Sequence, residues 1–255
     1  MIAWAGHGED QILRRIFTKG EPGTFLDIGS AHPKFGSVTY SLYRLGWRGV
    51  AIEPRKSLAK QWQKIRPDDF LITSALTKNG ESGFLANDGY RTKFVVDDER
   101  AMNRCFIKSE SISIAKLRVL TEEYVTLTPE LIKIDIEGDE YSIVDGLLEQ
   151  GYRPEIWIVE VVDQFNHEHI RREPQGNLES LMQSFNYVMK LMDGVNEWYV
   201  KECSPSLNRN IWAPAYPGVE DFIPFHLTTN YRIRNYIHFK RTRILKRIRK
   251  KPKNT

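Results

Sequence analysis

The sequence predicts an α/β fold, a mostly parallel sheet with helices on both faces and an antiparallel hairpin at its C-terminal end. Four short apolar runs carry most of that expectation: Phe25-Leu26-Asp27-Ile28, Val50-Ala51-Ile52-Glu53, Leu131-Ile132-Lys133-Ile134-Asp135 and Ile156-Trp157-Ile158-Val159-Glu160. Runs of this length, apolar on both sides, suit parallel strands buried on both faces. Amphipathic stretches at helical spacing separate them. At the end, Tyr187-Val188-Met189-Lys190-Leu191-Met192 and Glu197-Trp198-Tyr199-Val200-Lys201 flank Asp193-Gly194, a hairpin turn signal.

Each of the four runs ends in or next to a carboxylate. Ligands of open α/β sheets bind outside the carboxyl ends of the strands. If the runs lie side by side, Asp27, Glu53, Asp135 and Glu160 converge on one edge as an acidic cleft. Such a cleft favours a cationic or hydroxyl-rich ligand over a phosphate. Taken alone, Asp27 reads equally well as a capping residue of a tight turn.

The elements follow in order. Residues 4–19 place Ile12, Leu13, Ile16 and Phe17 on one helical face, with Glu9 and Asp10 at the positive end of the helix dipole. The glycine-bounded strand around Asp27 comes next. Ser37 then reads as the N-cap of a helix that turns Leu42 and Leu45 inward and ends at Gly46. The second strand stops at Pro54, residues 57–64 form a helix, and residues 69–74 form a third strand.

Between residues 77 and 110 the pattern weakens. Asn79-Gly80, Asp88-Gly89 and the charged run at 97–100 mark turns, while Phe84-Leu85, Phe94-Val95-Val96 and residues 111–119 read as short strands. This insertion, and the loop from 87 to 109 within it, is a candidate substrate wall.

In residues 131–138, Asp135 and Glu137 alternate with Ile134 and Ile136, which sends both acids to one side, with Glu140 one helical step beyond. Hard-cation sites use more oxygen ligands than these three supply, so no metal is expected. Asp139 and Glu140 start a helix that runs to Gln150. Residues 163–174 form a polar loop whose Asn166, His167 and His169 read as surface residues, and residues 178–185 form the last helix before the hairpin.

The glycine turn narrows the cofactor. No G-x-G-x-x-G is present; after Gly29 the next glycine is Gly36, with His32-Pro33-Lys34 between them. A pyrophosphate needs close backbone approach at a helix N-terminus, which this loop supplies poorly, so an NAD-dependent enzyme is the disfavoured alternative. Glu53, 26 residues beyond Asp27, is placed to accept the paired hydroxyls of an adenosine ribose. A sulfonium nucleoside, cationic and without phosphate, suits the cleft.

The chain has 255 residues, of which 41% are hydrophobic, enough for one substantial core. Its net charge of +4 conceals two unlike parts. Residues 231–255 hold 11 Lys or Arg and no acid, which leaves 26 basic and 33 acidic residues in positions 1–230. The expected organisation is therefore one domain over 1–230 and a basic tail over 231–255. Ile233, Ile237, Ile244 and Ile248 give the tail an amphipathic helical pattern, suited to an anionic membrane surface or an acidic partner. No aromatic platform supports specific nucleic-acid binding. The opening residues carry no signal pattern and no run approaches a membrane span, so a cytoplasmic protein, peripheral to the inner face of the membrane through its tail, is expected. Cys105 and Cys203 read as free thiols.

Five motifs taken together resemble a known family. Gly8-Glu9-Asp10, Phe25-Leu26-Asp27-Ile28-Gly29-Ser30-Ala31-His32-Pro33, Gly46-Trp47-Arg48-Gly49-Val50-Ala51-Ile52-Glu53-Pro54, Lys133-Ile134-Asp135-Ile136-Glu137-Gly138-Asp139-Glu140 and Asp193-Gly194-Val195-Asn196 occur in the order typical of FkbM-type S-adenosylmethionine-dependent methyltransferases. The resemblance spans roughly residues 6–202 and implies a Rossmann-like class I methyltransferase fold. It further implies O-methylation of a hydroxyl on a sugar, glycan or polyketide-derived product. By position, Asp27, Gly29 and Ser30 line the methionine end of the cofactor, Glu53 its ribose, and Ser74 and Ala75 its adenine. Asp135 and Glu137 border the reacting centre, and His32 and Glu137 are the candidate general bases. One departure stands out: Ser37-Val38-Thr39 occupies the place where many members have Ser-Asn-Thr. The alternative to an enzyme is a non-catalytic scaffold of the same fold that acts through the basic tail.

Overall fold

The computed structural model describes residues 3–17, 21–87, 92–96, 106–161 and 176–204. Strand β1 (Thr24–Ile28) is central because both of its faces are apolar: Phe25, Leu26 and Ile28 are all buried. It pairs in parallel with β2 (Arg48–Ile52) on one side and β8 (Leu131–Ile134) on the other. The sheet extends to β3 (Phe70–Ile72) beyond β2, and to β9 (Ile156–Glu160), β11 (Asn196–Lys201) and β10 (Tyr187–Met192) beyond β8. Its order is β10-β11-β9-β8-β1-β2-β3, with β11 antiparallel to both of its neighbours. The strand sequence reverses direction between β1 and β8, the position where a doubly wound sheet opens a ligand crevice.

Two cores cover the two faces. Helices α5 (Glu140–Glu149) and α6 (Leu178–Ser184) pack Ile143, Leu147 and Met182 against Leu26, Ile132 and Trp157. Helices α1 (Glu9–Phe17) and α2 (Tyr40–Tyr43) pack Ile12, Leu13, Ile16 and Leu42 against Phe25, Leu131, Ile158 and Trp198. Side chains alternate along a strand. Asp27, Lys133, Glu160 and Asn196 stand two residues from Phe25, Leu131, Ile158 and Trp198, so they form a polar rank on the face that α1 and α2 cover.

The insertion is a second sheet. Strands β4 (Ala75–Thr77), β5 (Ser82–Asn87), β6 (Thr92–Val96) and β7 (Phe106–Ser113) take the order β4-β7-β5-β6. Residues 111–119 are not one strand, as their pattern suggested. The Ser113 hydroxyl accepts from the Lys116 amide and caps helix α4 (Ile114–Thr121). Leu45 does not face inward either: α2 has only four residues, the chain turns after it, and Leu45 is 40% exposed while Leu42 is fully buried. Residues 57–64 divide into a 3-10 turn (Lys56–Leu58) and helix α3 (Ala59–Ile65).

Among the described residues no helix is long and apolar enough to cross a membrane. Cys203 is a free, exposed thiol. Cys105, Asn166, His167, His169 and the tail 231–255 lie outside the described residues.

Candidate active site

The turn after β1 closes on β2. The amides of Gly29 and Ser30 both donate to the Ile52 carbonyl at 3.0 Å, and the Ala31 amide donates to Glu53 Oε2 at 2.9 Å. Glu53, at the end of β2, is buried, and Arg55 takes up the rest of its capacity. The Arg55 amide and Nε reach Oε1 at 2.8 and 2.7 Å, and Nη2 reaches Oε2 at 3.1 Å. Ser30 donates through its hydroxyl to the Ile52 carbonyl at 3.3 Å.

Gly29 also meets β8. A Cβ on Gly29 would lie 1.7 Å from the Asp135 carbonyl oxygen, so only glycine lets the turn and the end of β8 come together.

Asp27 is 1% exposed. Its Oδ2 accepts the Thr39 hydroxyl at 2.6 Å, and Thr39 in turn accepts from Arg66 Nη1 at 2.9 Å. Arg66 is itself buried, bonded to Asp69 at 2.6 Å, with the Trp62 ring centre 4.5 Å from its guanidinium. Asp69 accepts the Gly49 amide of β2 at 3.0 Å. Thr39 thus supports Asp27, while its neighbour Val38, at the departure noted in the sequence, is a buried member of the core under α1 and α2.

Lys133 joins the parts. Its ammonium donates to the Gly29 carbonyl at 2.7 Å, and lies 3.3 Å from Asp135 Oδ2 and 3.6 Å from Asp27 Oδ1. Burial works against its charge, but Asp135, Asp27 and Glu160 outweigh that and hold the ammonium above the ordinary lysine range.

Beyond Lys133, single carboxylate oxygens of Asp135, Glu137 and Glu160 lie within 4.8 Å of one another. Glu140 does not complete this group. Its Oε1 turns back and accepts the amides of Ile136 and Gly138 at 3.3 and 2.9 Å, and Glu160 of β9 takes the third place. The loop that presents Glu137 is left-handed: Glu137 has φ +65°, Gly138 +150° and Asp139 +78°. Non-glycine residues in such conformations store about 1–3 kcal/mol each and cluster at functional sites.

His32 sits in the turn as a structural acceptor. Its Nδ1 receives the amides of Lys34 and Phe35, both at 3.0 Å, and its ring packs on Phe35 at 4.8 Å. A nitrogen so engaged has no lone pair left for a substrate proton. Ser74 and Ala75 occupy the seam between the two sheets, where the Ser74 hydroxyl donates to the Glu110 carbonyl at 2.9 Å and Ala75 pairs with Ser111.

The structure therefore unites Asp27, Gly29, Ser30 and Glu53 with Asp135 and Glu137 around the β1–β8 crevice. Sequence reading passed over Lys133, Thr39, Arg66 and Arg55. Only Lys133 left a signal, as a charge in the middle of an otherwise apolar strand.

Methyltransferases are among the solved structures similar to this one. A provisionally named RNA methyltransferase from Pyrococcus horikoshii shares 9% identity over 76% of this chain and 83% of its own, with a TM-score of 0.38. The 1,6-didemethyltoxoflavin N1-methyltransferase of Burkholderia thailandensis, with bound 1,6-didemethyltoxoflavin and S-adenosylhomocysteine, shares 12% over 76% and 75%, with a TM-score of 0.37. The C-terminal domain of the precorrin-6Y C5,15-methyltransferase of Rhodobacter capsulatus shares 13% over 74% and 84%, with a TM-score of 0.36. No curated protein matches the sequence. The methyltransferase FkbM domain matches residues 27–189, well over half of the chain and the whole of the crevice just described, and the chain belongs to that methyltransferase family.

Proposed function

We propose that the protein is an S-adenosylmethionine-dependent O-methyltransferase that acts on a hydroxyl of a sugar, glycan or related small molecule. The observation that carries this reading is the direction of the turn amides. Gly29, Ser30 and Ala31 all donate inward, to Ile52 and Glu53, so the turn offers these amides to no phosphate. The crevice instead presents Asp27, Asp135, Glu137 and Glu160.

The residues fit a cationic nucleoside. Asp27 Oδ1 is a buried carboxylate oxygen that accepts no hydrogen bond, the Lys133 ammonium standing 3.6 Å away, and it is suited to the amino group at the methionine end. Glu53 supplies acceptors for a ribose when Arg55 releases them. Bound there, the cofactor supplies an electrophilic methyl group. The chain's own contribution is alignment: Asp135, Glu137 and Glu160 are acceptors that can fix the hydroxyls of the acceptor molecule. Such positioning is worth roughly 7–11 kcal/mol. Glu137, half-buried on its left-handed loop, takes the hydroxyl proton, a role worth about 10²- to 10⁴-fold in rate. The basic tail brings the domain to an anionic membrane or an acidic partner.

A thermal-shift titration with S-adenosylmethionine, S-adenosylhomocysteine and NAD tests the cofactor. A ligand at 100 times its dissociation constant stabilises the fold by about 2.7 kcal/mol. Stabilisation by the first two alone is expected, followed by radiolabelled methyl transfer to a panel of hydroxylated acceptors. Stabilisation by NAD alone overturns the proposal.

A further inference from the structure

We propose that Lys133 is the built-in counter-cation of the site, a positioning residue that does for Asp27, Asp135 and the glycine turn what a divalent metal does in other carboxylate clusters. An ammonium on a central strand costs free energy unless it is compensated. Here the compensation is specific. The ammonium donates to the Gly29 carbonyl at 2.7 Å, and is the ion-pair partner of Asp135 at 3.3 Å and, beyond hydrogen-bond range, of Asp27 at 3.6 Å, groups that come from three different parts of the site. Lys133 therefore sets the separation between the turn that ends β1 and the carboxylate that ends β8.

The same placement excludes an ion. A divalent cation held by Asp135, Glu137 and Glu160 would stand beside an ammonium already in contact with Asp135, and like charges at that range repel. The native site is thus metal-independent, and removal of the lysine charge opens it to a hard cation. The activity readout below rests on the methyltransferase reading; the ion readout does not.

The test uses the full chain, unaltered and as Lys133→Met, Lys133→Arg and Lys133→Met/Glu160→Gln. Terbium(III) luminescence reports a hard-cation site at the carboxylates. Lys133→Met is expected to bind terbium at least tenfold more tightly than the unaltered chain, and Glu160→Gln to cancel the gain. Lys133→Gln replaces the methionine variant should that one fail to fold. Lys133→Arg keeps the charge and is expected to keep terbium out. Its planar guanidinium cannot stand as a point charge between the Gly29 carbonyl and the carboxylates of Asp135 and Asp27, so its kcat for methyl transfer falls at least tenfold with the melting temperature little changed. Equal terbium affinity in the unaltered chain and Lys133→Met, or a kcat for Lys133→Arg equal to that of the unaltered chain, overturns the proposal. A chain that binds neither S-adenosylmethionine nor S-adenosylhomocysteine refutes the proposed cofactor, and terbium still decides Lys133.

Discussion

Glu9, in the first turn of α1, and Asn196, the first residue of β11, are 187 positions apart in the chain and joined by a hydrogen bond of 3.1 Å. The Asn196 amide also reaches both oxygens of Asp193, at 3.2 and 3.0 Å, and Asp193 accepts the Trp198 indole at 2.8 Å. Glu9 Oε2 accepts the His7 amide at 2.8 Å. The start of the helix is thereby fastened to the hairpin turn. Burial raises the Glu9 carboxyl above its usual range, His7 lowers it and Asp193 raises it. Glu9 is a lock between two ends of the domain, a larger role than the helix-dipole partner its sequence position suggested.

Asn196→Ala should cost about 1–3 kcal/mol, because it takes from Oε1 of the buried Glu9 carboxylate the Asn196 donor. Urea unfolding measures this. Glu9→Ala with Asn196→Ala should cost less than the sum of the two, since both remove the same bond. Strict additivity would mean that the lock carries no energy.

Arg66→Met makes a sharper claim. It leaves Asp69 buried without its partner and removes the donor that holds Thr39 against Asp27. Breaking such a pair costs about 3–5 kcal/mol. Arg66→Met/Asp69→Asn, which neutralises the orphaned acid, should recover part of that loss in the same unfolding assay.

These two networks show where the sequence was legible and where it was not. The strands were readable because each is a short apolar run that ends at an acid, and hairpin pairing followed from Asp193-Gly194. The crevice followed from the strand ends. Arg66 lies in Lys64-Ile65-Arg66-Pro67-Asp68-Asp69, which looks like a solvated turn, and nothing local reveals that aromatic rings of Phe25, Tyr43 and Trp62 enclose it. Glu9 and Asn196 meet only once the sheet is complete. Most of the acid cluster was legible, Asp135 and Glu137 from their alternation and Glu160 from its strand end, but the turning away of Glu140 belongs to the left-handed loop, which no periodicity encodes.

His32 predicts a pH dependence. Burial, together with Lys34 and Arg55, lowers its pKa against the opposing effect of Gln61. The folded state therefore prefers neutral imidazole, whose Nδ1 accepts two amides. This contribution is complete above the unfolded pKa of about 6.5 and is lost as pH falls through the lower folded value. The difference in melting temperature between the unaltered chain and His32→Ala should shrink between pH 7 and pH 5. A constant difference would remove titration from the role of His32.

Gly29 and Gly36 separate two reasons for glycine. Their φ values are nearly equal, +74° and +78°, so alanine pays the same backbone strain at either site, roughly 1–2 kcal/mol. A Cβ at Gly36 meets nothing within 4 Å, whereas at Gly29 it lies 1.7 Å from the Asp135 carbonyl oxygen. No rotamer relieves a clash with backbone, so the end of β8 must move and carry Asp135 away from Lys133. Gly36→Ala should lose about 1 kcal/mol and keep its affinity for S-adenosylhomocysteine. Gly29→Ala should lose about 3 kcal/mol or more and bind it at least tenfold more weakly. Equal losses in unfolding and in titration calorimetry would mean that the turn needs glycine only for its φ, and that the close approach of β1 to β8 does not set the site.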